Sequence, residues 1–234
     1  MKKNIPNLIT CVNLISGCVG IYFAHNNKLI EAFYAILVAA TFDFLDGLIA
    51  RALHTHSEMG KQLDSLSDVI SFGVLPGAIM QQLLSISGAK ELFEELAFVA
   101  YLIPVFSAWR LAKFNLDTRQ TDMFIGLPTP ANALLIASLY PSVQNNYWIS
   151  SYLMQLPVLL SITIGTSLLL VSEIPMLALK FKNIEWKENQ YKFIFLSLAA
   201  IMILFLGPFG IIFSISAYIL LSIVFYIHGF TNVS

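Results

Sequence analysis

Four aspartates, Asp43, Asp46, Asp64 and Asp68, stand inside segments that are otherwise apolar. A carboxylate in such a place costs at least roughly 2.5 kcal/mol unless it is paired, hydrated or bound to a cation. Asp43, Asp46, Gly47, Ala50 and Arg51 are offset by 0, 3, 4, 7 and 8 residues, which on a helix draws one stripe. Gly60, Asp64 and Asp68, offset by 0, 4 and 8, draw a second stripe, and the short connection between the two segments turns them toward each other. Carboxylates gathered this closely repel one another unless positive charge compensates. Neither stripe carries Cys or His, so the all-oxygen set suits a hard divalent cation, Mg²⁺ or Mn²⁺, rather than zinc. Two ions sharing the aspartates would suit the clamping of a phosphate during displacement.

The small residues beside the acids have two readings. Gly47, Ala50 and Gly60 either let helices pack closely in lipid or clear room for a bulky ligand against the backbone; beside four aspartates we favour the second. His54 and His56 lie in the connection and titrate near neutrality, but their solvated neighbourhood argues against a catalytic role. Cys11 and Cys18 fall in an apolar run and read as small hydrophobes.

The elements that must carry these stripes are set by composition. The chain has 234 residues, 57% hydrophobic and 12% charged, with a mean hydropathy of +0.76; soluble domains carry about 25% charged residues. The apolar residues come in long runs, which predicts helices that are apolar all round and an all-α, polytopic transmembrane bundle forming a single domain over 1–234. Charges, prolines and polar clusters cut the chain into about eight spans: 6–25, 29–53, 63–88, 92–115, 129–145, 149–179, 191–207 and 209–229. Gly207-Pro208 is an expected break, and the run from Ser151 to Leu179 is expected to kink at Pro157 or Pro175. With eight spans, eleven of the 13 Lys and Arg residues lie on one side, so both termini and the Arg51–Lys61 connection are expected to be cytoplasmic; an odd number of spans would spoil this tally. The net charge of −1 gives no basic field for a nucleic-acid partner.

The pattern D43-x-x-D46-G47-x-x-A50-R51, eight residues, then G60-x-x-x-D64-x-x-x-D68 resembles the signature of the CDP-alcohol phosphatidyltransferase family at every fixed position. The resemblance implies a metal-dependent membrane enzyme with a cytoplasm-facing site. There an alcohol oxygen attacks the lipid-side phosphorus of a CDP-linked lipid, and CMP leaves. It makes Asp43, Asp46, Asp64 and Asp68 metal ligands, with Asp68 also the base for the hydroxyl. Gly47, Ala50, Arg51 and Gly60, together with Asn7 and Thr10, would border the nucleotide or its phosphates. Homodimerisation in the cell membrane is implied by the same likeness.

Four further stretches resemble the phosphatidylserine synthase branch of that family: Pro6–Thr10, Asp64–Gly73, Arg110–Asn115 and Gly126–Ala131. They imply CDP-diacylglycerol as donor and L-serine as acceptor. A serine acceptor brings a carboxylate and an ammonium, and Arg110, Lys113 and Arg119 are candidate cations for its carboxylate or for a phosphate, Arg110 foremost because its planar fork binds either bidentately. Glu173, an acid in an apolar run, is expected to pair structurally rather than to meet substrate. Two alternatives stand beside this reading. One is the same chemistry with glycerol 3-phosphate or an inositol compound as acceptor; the other is a cation transporter, which would need acids along a whole transmembrane path rather than at one end.

Overall fold

A computed structural model of the chain describes residues 4–55, 57–87, 94–117, 124–144, 147–177 and 186–227. Ten α-helices make up almost all of it: α1 (Ile5–His25), α2 (Leu29–Ala52), α3 (Glu58–Val69), α4 (Leu75–Ser87), α5 (Leu102–Leu116), α6 (Thr129–Val143), α7 (Tyr147–Leu153), α8 (Leu156–Val171), α9 (Trp186–Leu206) and α10 (Pro208–Ile227). A 3₁₀ segment, Glu94–Tyr101, leads into α5. The all-α expectation holds but for one two-residue antiparallel pairing, β1 (Phe124–Ile125) with β2 (Pro175–Met176).

The punctuation acts where the sequence places it. Ser57 caps α3, its hydroxyl accepting from the Gly60 N–H at 3.0 Å. Pro157 starts α8, and the chain bends by 62° between α7 and α8. Gly207, at φ +58°, separates α9 from α10. Between α3 and α4 the chain does not break. Ile70–Val74 forms one π-helical turn, in which the Leu75 N–H reaches back five residues to the Ile70 carbonyl.

Among the described residues, six helical stretches are long and apolar enough to cross a membrane, or seven if the bent pair α7–α8 counts as one. The expected eight differ from this by α6, which is a helix where one was expected but runs to only 15 residues. At 1.5 Å per residue that is roughly 22 Å, short of the ~30 Å hydrocarbon thickness. The α6 helix is instead a core element, with Ala133, Ile136, Ala137 and Leu139 buried.

The continuous rod α3–π turn–α4 is the post of the bundle. More than half of its apolar stretch is buried (56%), against 11–33% for the other five spans. Phe72, Leu75, Ile79, Met80, Leu83 and Leu84 form the core with Ile36 of α2, Ile103 of α5 and Ile136 of α6. The α1 helix packs along both α2 and the post. Its buried residues Pro6, Thr10, Asn13, Gly17, Gly20 and Ala24 recur every three or four positions. Gly17 is needed there, because a β-carbon on it would lie 2.4 Å from Ser71 Oγ and 3.0 Å from Ser71 Cα. Large apolar side chains such as Leu204 and Phe205 remain exposed on the outside, as a lipid-facing surface requires.

Candidate active site

The two acidic stripes meet. Asp43 on α2 and Asp64 and Asp68 on α3 each offer an oxygen, and these atoms all lie within 4.8 Å of one another. Asp43 and Asp68 thus face each other across the gap between α2 and α3. Two carboxyl groups that close need a proton or a cation between them.

Asp46 stands slightly apart from this trio. It is 6% exposed, within electrostatic range of Asp43 and Asp64, and its Oδ2 accepts from the Thr10 hydroxyl at 2.7 Å. A buried carboxylate held by a short, charge-assisted bond is fixed in direction. Thr10, expected among the nucleotide contacts, thus holds a carboxylate in place. Asn7, one turn earlier on α1, lies against Gly60: its Oδ1 is 3.0 Å from where a β-carbon on Gly60 would be.

Around Gly47 there is open space. A β-carbon there would meet only the Arg51 guanidinium, Nη1 at 3.6 Å. Close helix packing therefore does not account for this glycine, whereas it does account for Gly17 and Gly20, whose β-carbons would strike the post. Arg51 is exposed at the same edge and Ala50 is half-buried.

Asn13 was not foreseen as a site residue. It is fully buried, and its Nδ2 donates to Asp68 Oδ1 at 3.4 Å. Its backbone carbonyl accepts from Ser71 Oγ at 3.0 Å, and the Thr10 carbonyl accepts from Ser67 at 3.3 Å, so α1 and the acidic helix are stitched together on both sides of Asp68. Asn13 lies on the small-and-polar stripe of α1 with Thr10 and Gly17, a pattern that marks a packed face without naming Asp68 as its partner.

The three candidate cations separate. Arg110 is buried (7% exposed), stacks its guanidinium over the Phe114 ring at 5.9 Å, and lies in electrostatic range of Asp68 and of Tyr218. Lys113 forms an ion pair with Glu173. Arg119 lies outside the described residues, as does His56. The Arg110–Asn115 stretch also reaches the signature helix: Asn115 Nδ2 donates to Ser65 Oγ at 2.7 Å, and its carbonyl accepts from Lys61 at 3.1 Å. The Gly126–Ala131 stretch docks on the end of α8. There the Gly126 N–H donates to the Ile174 carbonyl and the Leu127 N–H to the Leu169 carbonyl, each at 2.9 Å.

A family model described as CDP-alcohol phosphatidyltransferase matches residues 3–164, more than half of the chain. The chain belongs to the CDP-alcohol phosphatidyltransferase family. Among curated members, a CDP-diacylglycerol–serine O-phosphatidyltransferase of Helicobacter pylori is 36% identical over 134 residues, 56% of this chain and 54% of that protein. One of the same name from Mycobacterium leprae is 31% identical over 96% of this chain and 75% of its own length. An archaetidylserine synthase of Methanothermobacter thermautotrophicus is 37% identical over 58% of this chain and 57% of its own. The chain thus spans about half the length of the Helicobacter relative. The match of the family model ends at residue 164, so it covers the α1–α6 core and the signature but stops short of the Ser172–Pro175 segment on which Gly126 docks.

Proposed function

We propose that the chain is a single-domain CDP-diacylglycerol–serine O-phosphatidyltransferase, working in the cell membrane with the Arg51–Lys61 connection cytoplasmic and, on the six-span count, both termini on the same side. The observation that carries the chemistry is the convergence of Asp43, Asp64 and Asp68 beside the open edge at Gly47 and Arg51. The choice of serine is supported by the names of relatives from three genera, all of which specify a serine product or acceptor.

The donor set fits one or two hard divalent cations: oxygen ligands only, several negative charges in a small volume, and a neighbouring carboxylate fixed by Thr10. When bound, Mg²⁺ or Mn²⁺ would neutralise the donor's diphosphate and stabilise the departing CMP. Asp43, Asp46 and Asp64 would hold the ions, and Asp68 would share in that while facing the acceptor. Asn13 orients the Asp68 carboxylate through Oδ1, leaving its other oxygen to accept the serine hydroxyl proton. The serine oxygen then forms its bond to the lipid-side phosphorus, the bond from that phosphorus to the CMP oxygen breaks, and the proton rests on Asp68. Gly47 leaves the nucleotide room against the α2 backbone, with Arg51 beside its phosphates, whereas Gly60 is packed against Asn7 and Ser57. Homodimerisation is carried on the family likeness alone.

The deciding experiment supplies the purified protein with CDP-diacylglycerol and Mg²⁺ or Mn²⁺ and measures CMP release with L-serine, glycerol 3-phosphate or inositol phosphate. Release that needs serine and disappears in Asp68→Asn supports the proposal. Release with another acceptor keeps the chemistry and changes the alcohol. No release with any acceptor, from folded protein that binds Mn²⁺, favours cation transport.

A further inference from the structure

Buried hydroxyls in this bundle bond back to the carbonyl four residues earlier, as Ser138, Thr163, Ser214 and Ser222 do, or reach another helix, as Ser67 and Ser71 do; Thr166 and Ser167 on α8 do neither. Nor do Ser107 on α5 and Thr129 on α6. They are 0% and 1% exposed, and their oxygens have no hydrogen-bond partner. One turn beyond Thr129, Asn132 is 0% exposed with neither Oδ1 nor Nδ2 partnered, and one turn beyond Ser107, Arg110 keeps an unpartnered Nε. A buried amide with both ends unsatisfied is strongly disfavoured unless something completes it.

These four residues lie on two helices that share one neighbour. Both α5 and α6 pack on the π turn that follows Asp68. Ser107 Oγ lies 3.6 Å from where a β-carbon on Gly73 would be, and Arg110 is in electrostatic range of Asp68. Their chemistry is mixed in sign. One guanidinium and one amide N–H pair can bind a carboxylate, while one amide oxygen and two hydroxyls can accept from an ammonium. A phosphorylated acceptor, by contrast, calls for several cations, and Lys113, one turn beyond Arg110, is paired with Glu173.

We propose that Asn132, with Thr129, Ser107 and Arg110, recognises the α-amino and carboxylate groups of a zwitterionic amino-acid acceptor. The inference rests on the serine reading above and assigns that selectivity to the start of α6. Asn132 binds both groups of the zwitterion at once, Oδ1 accepting from the ammonium and Nδ2 donating to the carboxylate.

The test uses the purified full chain, CDP-diacylglycerol and Mn²⁺, comparing the native protein with Asn132→Leu and Thr129→Val. Apparent KM is measured for L-serine and for CDP-diacylglycerol. Inhibition by ethanolamine, which lacks the carboxylate, and by 3-hydroxypropionate, which lacks the ammonium, is measured alongside. Mn²⁺-dependent CMP binding reports folding. Asn132→Leu should raise the serine KM about tenfold or more, leave the CDP-diacylglycerol KM within about twofold, and erase the preference of the native protein for serine over either truncated analogue. An unchanged serine KM, or both KM values rising together, overturns the inference. If Asn132→Leu fails to bind CMP, Thr129→Val decides on the same criteria. Should the native protein use no serine but another acceptor, the functional proposal falls and this one with it; a failure confined to the variants sinks this one alone.

Discussion

Thr10 has one hydroxyl proton and two acceptors within reach, the Pro6 carbonyl at 3.0 Å and Asp46 at 2.7 Å; the shorter bond to a carboxylate is the stronger. Thr10→Val keeps the shape and removes the donor. We expect about a tenfold loss of Mn²⁺ affinity, as for other residues that orient a ligand, read by titrating Mn²⁺ against CMP binding with circular dichroism unchanged. Asp64→Asn should lower turnover with CDP-diacylglycerol by at least about a hundredfold, because a neutral amide cannot replace a ligand charge; retention of half the native rate would remove Asp64 from the metal set. The aspartates were legible in the sequence because carboxylates are costly in apolar runs and their spacing drew stripes. Asn13 was not, since a single amide in an apolar helix has many uses and only the packing of α1 on the post shows that it faces Asp68. The bond from Thr10 to Asp46 was not legible either, because sequence spacing does not show which carboxylate a threonine reaches.

Helix boundaries were legible wherever a backbone rule acts: the Ser57 cap, Pro157, and Gly207-Pro208. The docking of Gly126 was not, as it joins residues more than forty positions apart. At φ +75° a side chain is strained, and a β-carbon there would lie 2.5 Å from the Leu170 carbonyl oxygen. Gly126→Ala should therefore destabilise the protein by about 1–3 kcal/mol, seen as a lowered melting temperature in detergent; a melt equal to native would mean that the loop is not clamped to α8. The Lys113–Glu173 pair offers the contrast. Its side chains are 36% and 63% exposed, and such pairs contribute at most about 1 kcal/mol. Lys113→Met should change the melt little and the serine KM less than about threefold, whereas a large rise in that KM would return Lys113 to the substrate site.

At the scale of the whole molecule, composition was enough to give a membrane-spanning helical bundle, yet not the number of crossings. Length alone demotes α6, and the seventh crossing depends on the bent α7–α8 pair. In a background with Cys11 and Cys18 replaced by serine, a single cysteine at Ser57 should react with an impermeant maleimide only in inside-out vesicles; labelling from outside would invert the proposed orientation. The one π turn bears on the molecule as a whole. An α-helix advances about 100° per residue, so the extra residue accommodated in Ile70–Val74 resets the angular phase of everything after it by about that much. Without the reset, Asp64 and Asp68 would point about 100° away from Ile79, Met80, Leu83 and Leu84, and the rod could direct either its acids to α2 or its apolar side chains to the core. With it, both halves face inward from one unbroken helix. Deleting one residue from that turn should therefore restore plain α geometry with both faces still inward, whereas keeping the residue in α geometry forces a choice between a folded interior and an assembled site.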